Sequence, residues 1–249
     1  MRVVFVRAVG LLALAVAGMA SRSYASLITV PTGLAPGSEY RLVFVTDGTY
    51  TAASSDIADY NNDVSTEANS VGALAALGTT WLDIGSTASI TALDNIGEDP
   101  GVPLYNLDGE LVANTVNYIA GVGAPLFNGG YLYYLNTIDF DENGNLDETY
   151  VWTGTLASGV PFIDTGFGND VNEALGGSPY PTVGYSGCTS ACWTQDTGAS
   201  PDTLYSLYGI SGILTVPAST PEPPTVVMLC LSGAVLLFAR RARSNRFLL

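Results

Sequence analysis

Apolar residues at Ile57, Tyr60, Val64, Ala68, Val71 and Leu74 recur at spacings of three and four. That period predicts a helix from Ser55 to Leu77 with a single buried face. Ser54 or Ser55 is the expected N-cap, and Asp56 suits the first turn. Asp56, Asp59, Asp63 and Glu67 fall largely on the opposite side, where a solvated face is expected. Tyr40 to Thr46 is rich in β-branched and aromatic residues and predicts a strand, turned by Asp47-Gly48. Shorter strands are expected at Leu27–Val30, stopped by Pro31, and at Trp81–Ile84, Tyr131–Ile138 and Tyr150–Thr155. Pro103 to Leu107 reads as a strand running into an Asp108-Gly109 turn. Ala88–Asn95 and Ala113–Ala120 are expected to be short helices. Residues 158–200 are rich in Gly, Pro, Ser, Thr and Asn and predict loop with short strands. A last strand, Leu204 to Val216, is expected to be interrupted at Gly209 and Gly212.

The two ends follow a different pattern. Arg2 and Arg7 precede an apolar stretch, Val9 to Ala20, and Ser23-Tyr24-Ala25 closes it with small residues. This is the layout of a signal peptide cut between Ala25 and Ser26. At the other end Val226 to Ala239 is an apolar run between Pro221-Glu222-Pro223-Pro224 and Arg240, Arg241, Arg243 and Arg246. As a helix it is about 21 Å long, so flanking residues are needed to span the ~30 Å of a bilayer core. The arginines would hold its C-terminal end on the cytoplasmic side. The expected division is a signal peptide over 1–25, a body over 26–217 and a tail over 218–249, with a transmembrane helix at 225–239.

Composition sharpens the division. All eight basic residues are arginines and the chain has no histidine. Between Ser26 and Thr220 only Arg41 is basic, against 22 acids, so the body's formal net charge is −21 where the whole chain carries −15. Such a surface repels phosphate backbones and anionic lipid, which excludes nucleic-acid binding. The body keeps enough Val, Ile, Leu, Tyr and Trp for one core and is not a disordered acidic tail.

The order Pro-Glu-Pro, short apolar helix, arginine cluster resembles the PEP-CTERM sorting signal of bacterial surface proteins. That resemblance implies recognition and cleavage by a membrane protease of the exosortase type. The body's series Trp81-Leu82-Asp83-Ile84-Gly85-Ser86-Thr87, Pro103 to Val112 and Val151-Trp152-Thr153-Gly154-Thr155 looks like a group of PEP-CTERM surface proteins. It is distantly similar to the endostatin-type branch of the C-type-lectin-like fold, over roughly Tyr40 to Val216. The resemblance implies an α+β domain with antiparallel strands and two or three helices. It imports no sugar site, because the triplets that calcium-dependent lectins use are absent. Trp152-Thr153-Gly154-Thr155 therefore reads as core packing.

Two stretches bear on chemistry. Asp139-Phe140-Asp141-Glu142-Asn143-Gly144-Asn145-Leu146-Asp147-Glu148 follows the first half of a calcium loop, with oxygen ligands at Asp139, Asp141 and Asn143, Gly at the sixth position and Asp147 at the ninth. Tyr150 stands where the bidentate Glu belongs, and the flanks read as strands. Two readings stay open: weak Ca²⁺ binding by Asp139, Asp141, Asn143, Asn145 and Asp147, or a polar hairpin turning at Asn143-Gly144. Cys188 and Cys192 are expected to form a disulfide in an oxidising exterior.

Without His or Lys, His-based triads, Schiff-base chemistry and His-ligated metals are out of reach, and no phosphate or dinucleotide loop occurs. The expectation is a non-enzymatic surface or matrix protein associated with extracellular polysaccharide. Its processing partners would be signal peptidase and an exosortase-type protease, and the inner membrane would hold its tail beforehand. The alternatives are a calcium-dependent carbohydrate-binding module, a carboxylate hydrolase, and an ice-binding protein, for which no regular Thr array is present.

Overall fold

The computed structural model describes residues 27–97, 101–117, 124–127, 135–161, 173–176 and 179–218. The expected signal peptide with its Ala25/Ser26 boundary and the expected sorting tail with Pro221, Glu222, Pro223, Arg240, Arg241 and Arg243 lie outside them. What is described is α+β, with few helices and mostly antiparallel strands.

The chain opens with β1 (Glu39–Val45), followed by α1 (Ile57–Ser70), α2 (Gly72–Ala75), β2 (Trp81–Asp83) and α3 (Ala92–Ile96). Short strands follow: β3 (Leu104–Asn106), β4 (Leu111–Ala113), β5 (Thr115–Asn117) and β6 (Pro125–Phe127). The remaining strands are β7 (Tyr150–Trp152), β8 (Thr182–Tyr185), β9 (Thr197–Gly198), β10 (Ser206–Ser211) and β11 (Leu214–Thr215). Nine of them form one sheet in the order β4-β3-β1-β10-β7-β8-β9, with β11 continuing beside β1 and β2 beside β10. β5 and β6 pair separately.

Alternation along β1 splits the interior in two. Tyr40, Leu42 and Phe44 point to a core under α1, with Tyr60, Val64, Ala68, Leu74, Trp81, Trp152 and Leu207. Val43 and Val45 point to the other face, with Ile84, Ile96, Leu104, Phe127, Trp193, Tyr208 and Ile210. Both faces of the sheet are covered, which is why β1 past Glu39 and all of β10 are buried at every position rather than at alternate ones.

The predicted helix face is present, with Tyr60, Val64, Ala68 and Leu74 buried. The cap differs: Asp56 is the N-cap and accepts from Ala58 N–H, because its short carboxylate serves the orphan amides where neither serine does. The helix also breaks at Val71, which has extended backbone, and restarts as α2. Leu27–Val30 is irregular, tied down by Ile28 N–H on Leu107 O. Ala113–Ala120 is not a helix where it is described, since Thr115–Asn117 pairs in parallel with Pro125–Phe127. The β-branched Thr115 and Val116 and a non-local partner outweigh the local helical pattern. Of the strand expected at Tyr131–Ile138, residues 131–134 lie outside the described residues and 135–138 are irregular. In the last strand Gly209 is no break. It lies inside β10 against the Phe44 ring, where a Cβ has no room, and only Gly212 interrupts.

The ends of the described body meet. Val216 exchanges backbone hydrogen bonds with Gly37 and Ser38, and Val30, Leu77, Ile213 and Pro217 line a hollow of about 420 Å³. This terminal pole sits at the start of β1. The opposite rim, at the far end of the same strand, lies roughly 20 Å away at ~3.4 Å per residue.

Candidate functional site

The far rim gathers the acidic loop, the turn after β1 and the entries of β7 and β10. Phe140 bridges Leu146, and Asp141 bridges Val45 at the end of β1. The loop is thus a tight hairpin docked on the sheet. Asp141 builds it: Oδ1 accepts from Asn143 N–H (2.9 Å) and Asn145 N–H (2.7 Å), and Oδ2 from the Asn145 side-chain amide (3.0 Å). Gly144 supplies the positive φ of 79° that the turn requires. This is the hairpin geometry, with Asp141 rather than Asn143-Gly144 alone as its organiser.

The calcium residues sit as follows. Asp139 and Asp141 are buried, Asp147 is half-buried, and Asn143 and Asn145 are exposed. Asp139 receives Asp147 N–H on its backbone oxygen, while its Oδ1 has no partner. Among the described residues no three Cys, Asp or Glu side chains gather into a group able to hold a metal ion.

Glu142 is 2% exposed. It accepts from Asp47 N–H through Oε2 (3.0 Å) and from the Asn143 amide through Oε1 (3.0 Å). Burial pushes its carboxyl up to about 7, against the pull of the Asp47 N–H and its own backbone N–H and with a contribution from Glu67 and Asp141. Across the turn, Tyr50 donates to Glu67 Oε1 at 2.6 Å. Burial and then Glu67 raise the Tyr50 phenol well above its ordinary value. Glu67 and Asp63 are therefore not on a freely solvated face. Both are half-buried, and burial, Asp59 and Glu67 together raise Asp63.

The rim also carries a row of tyrosines that single-sequence reading did not join. Tyr185 and Tyr150 are directly opposed on β8 and β7, and Tyr50 is opposed to Tyr205 at the entry of β10. Ring centroids lie 5.6 Å apart for Tyr150–Tyr185 and 5.6 Å for Tyr150–Tyr205. Tyr205 rests on Trp152 at 5.1 Å. Tyr150 and Tyr205 lie at the starts of two predicted strands, but Tyr50 and Tyr185 do not, and the register that aligns the four is non-local.

Away from the rim, Trp152 is fully buried with Nε1 donating to Tyr50 O (2.9 Å), and Gly154 leaves no space for a Cβ beside Ser86 and Leu175. That stretch is core packing, as expected. Cys188 and Cys192 form a disulfide. Asp83 was not singled out in advance. It is fully buried in β2 with neither carboxylate oxygen partnered, and burial, then Asp63, raises it well above the carboxylate range.

Arg41, also fully buried, donates to Ser211 O (2.7 Å) and Ile96 O (2.9 Å). Since it is the body's one basic residue, every charged side chain on the body's surface is an acid. No protein-family model matches this chain, and no curated protein matches it.

Proposed function

We propose that the chain is an exported, non-enzymatic surface or matrix protein with a C-type-lectin-like body. Residues 1–25 direct export and are removed before Ser26. The tail holds the protein on the outer side of the inner membrane until an exosortase-type protease acts near Pro221-Glu222-Pro223, and the body then reaches the surface or matrix and its polysaccharide.

The observation that carries this reading is the sorting of charge. Seven of the eight arginines lie in the two ends, and the eighth is buried on backbone carbonyls, so the body presents only carboxylates. Cations at the ends suit orientation in a membrane; a cation-free body suits solubility among other polyanions. The Cys188–Cys192 disulfide suits an oxidising compartment. The meeting of both ends of the body at one pole suits attachment there, with the acidic rim facing away.

N-terminal sequencing of the protein recovered from its source tests the reading, with Ser26 expected as the first residue. Deleting residues 240–249 is expected to shift the protein from the surface to another fraction. Met1 retained on a cytosolic protein would overturn the proposal.

A further inference from the structure

The tyrosine row at the rim is more exposed than sheet stability alone requires. Tyr150 is 43% exposed, Leu204 next to Tyr205 in the chain is 59% exposed, and Tyr50, Tyr185 and Tyr205 are half-buried. The rings are nonetheless fixed in place. Each is anchored by a paired backbone position, and Tyr205 lies on the immobile Trp152 ring. Each end of the row is closed by a carboxylate. Tyr185 donates to Glu148 Oε2 at 3.2 Å and Tyr50 to Glu67 Oε1 at 2.6 Å, and each carboxylate has a second oxygen able to accept a hydroxyl.

We propose that Tyr185, Tyr150, Tyr205 and Tyr50 form a stacking platform for the sugar rings of an uncharged polysaccharide, with Glu148 and Glu67 accepting from its hydroxyls. Tyrosine offers a large, rigid, amphipathic contact surface at low entropic cost. Successive rings one strand apart present a repeating surface to a repeating polymer. Charge selects the class of glycan. A body at −21 with its one cation buried repels uronate-, sulfate- and phosphate-bearing chains. Uncharged rings meet no such barrier, and their hydroxyls complement a rim rich in acceptors. This deepens the matrix reading above and rests on it only for where the glycan is met. Binding by purified protein does not depend on export, so a failure of one does not imply a failure of the other.

The test is calorimetric titration of the full chain in detergent with neutral hexasaccharides of glucose, mannose and N-acetylglucosamine, alongside an oligouronate. At least one neutral series is expected to bind, more tightly with chain length, with little change between low and high salt. Tyr150→Ala and Tyr185→Ala are each expected to weaken that binding by about tenfold, equivalent to ~1.4 kcal/mol, while Tyr150→Phe keeps it. Tyr185→Ala lies at one end of the row, in contact with a single neighbouring ring of it, and serves if Tyr150→Ala unfolds the rim. The proposal is overturned if no neutral oligosaccharide binds. It is equally overturned if the oligouronate binds best, or if the alanine variants lower the melting temperature and leave binding unchanged. The last result would make the row a set of cross-strand contacts that serves only the sheet.

Discussion

Asp141 at the rim and Asp83 under α1 are both buried aspartates, and they solve the same problem in opposite ways. Asp141 holds three donors at 2.7–3.0 Å, two of them backbone amides of its own loop. Asp83 holds none: both its oxygens are unpartnered, and a Cβ added at Gly85 would run into its carboxylate. The nearby amides are already engaged. Asn61 and Asn95 donate to each other's Oδ1 (both 2.9 Å), and they bind Asp83 only through its backbone, Asn61 accepting from its N–H and Asn95 donating to its carbonyl. In a body with one arginine, itself spent on carbonyls, a buried carboxylate has two ways out. It is wrapped in peptide N–H groups or it keeps its proton. Burying a bare charge is the excluded third course.

The wrapped site should be the more fragile of the two. Asp141→Ala leaves Asn143 N–H, Asn145 N–H and the Asn145 amide without acceptors at the base of a hairpin docked on Val45. A loss of about 3 kcal/mol is expected by denaturant titration, at the lower end of what several charge-assisted hydrogen bonds contribute. Asp141→Asn retains an acceptor for the two backbone amides and sets one amide against the Asn145 side chain, so its loss should be nearer 1 kcal/mol. If the two variants are equally mild, water replaces the carboxylate and the loop is not organised by it.

At Asp83 the sign reverses. Burial and then Asp63 raise its carboxyl, so above the ordinary carboxylate range the folded chain holds its proton more tightly than the unfolded chain does. Each pH unit spent in that condition costs ~1.4 kcal/mol. Asp83→Asn is an uncharged near-isostere and should leave the fold more stable than the parent at pH 8, with the gain shrinking toward pH 4. An Asp83→Asn variant less stable than the parent at pH 8 would mean that the charged form is held by something the contacts above do not include.

The contrast also marks what could be read in advance. The core stripe of α1, the strands around Tyr40–Val45 and Trp81–Asp83 and the Asp108-Gly109 turn were legible, because period, β-branching and turn chemistry are local properties. The mispredicted helix at Ala113–Ala120 was settled by a partner, Pro125–Phe127, whose pairing is not encoded nearby. The acids misled for a related reason. Asp63 and Glu67 sit on the polar side of α1, yet both are half-buried, toward Asp83 and Tyr50, while Asp59, Asn62, Thr66 and Asn69 stay exposed. Asp141 fits both readings of its loop, because an Asx-built turn and a calcium loop use the same oxygens and the same glycine. The tyrosine row needs the register of β7, β8 and β10, where parallel and antiparallel neighbours alternate.

The smallest effect is at Glu142, which lies between the two cases: it has donors, Asp47 N–H and the Asn143 amide, but is still pushed up to about 7. Its ordinary value is 4.5, so from pH 4.5 to 7 the folded state binds more protons than the unfolded state. Stability must then fall as pH rises through that window and recover on acidification. Asp139, Asp147 and Asp63 are also raised by burial and tilt the profile the same way, opposite to a protein whose carboxylates are held by cations. The body should therefore melt at a higher temperature at pH 5 than at pH 7.5. Glu142→Gln should flatten the slope between those two values. A melting temperature that climbs from pH 5 to 7.5 would show that the peptide donors outweigh burial at these carboxylates, and the division between wrapped and protonated acids would then fail at the rim.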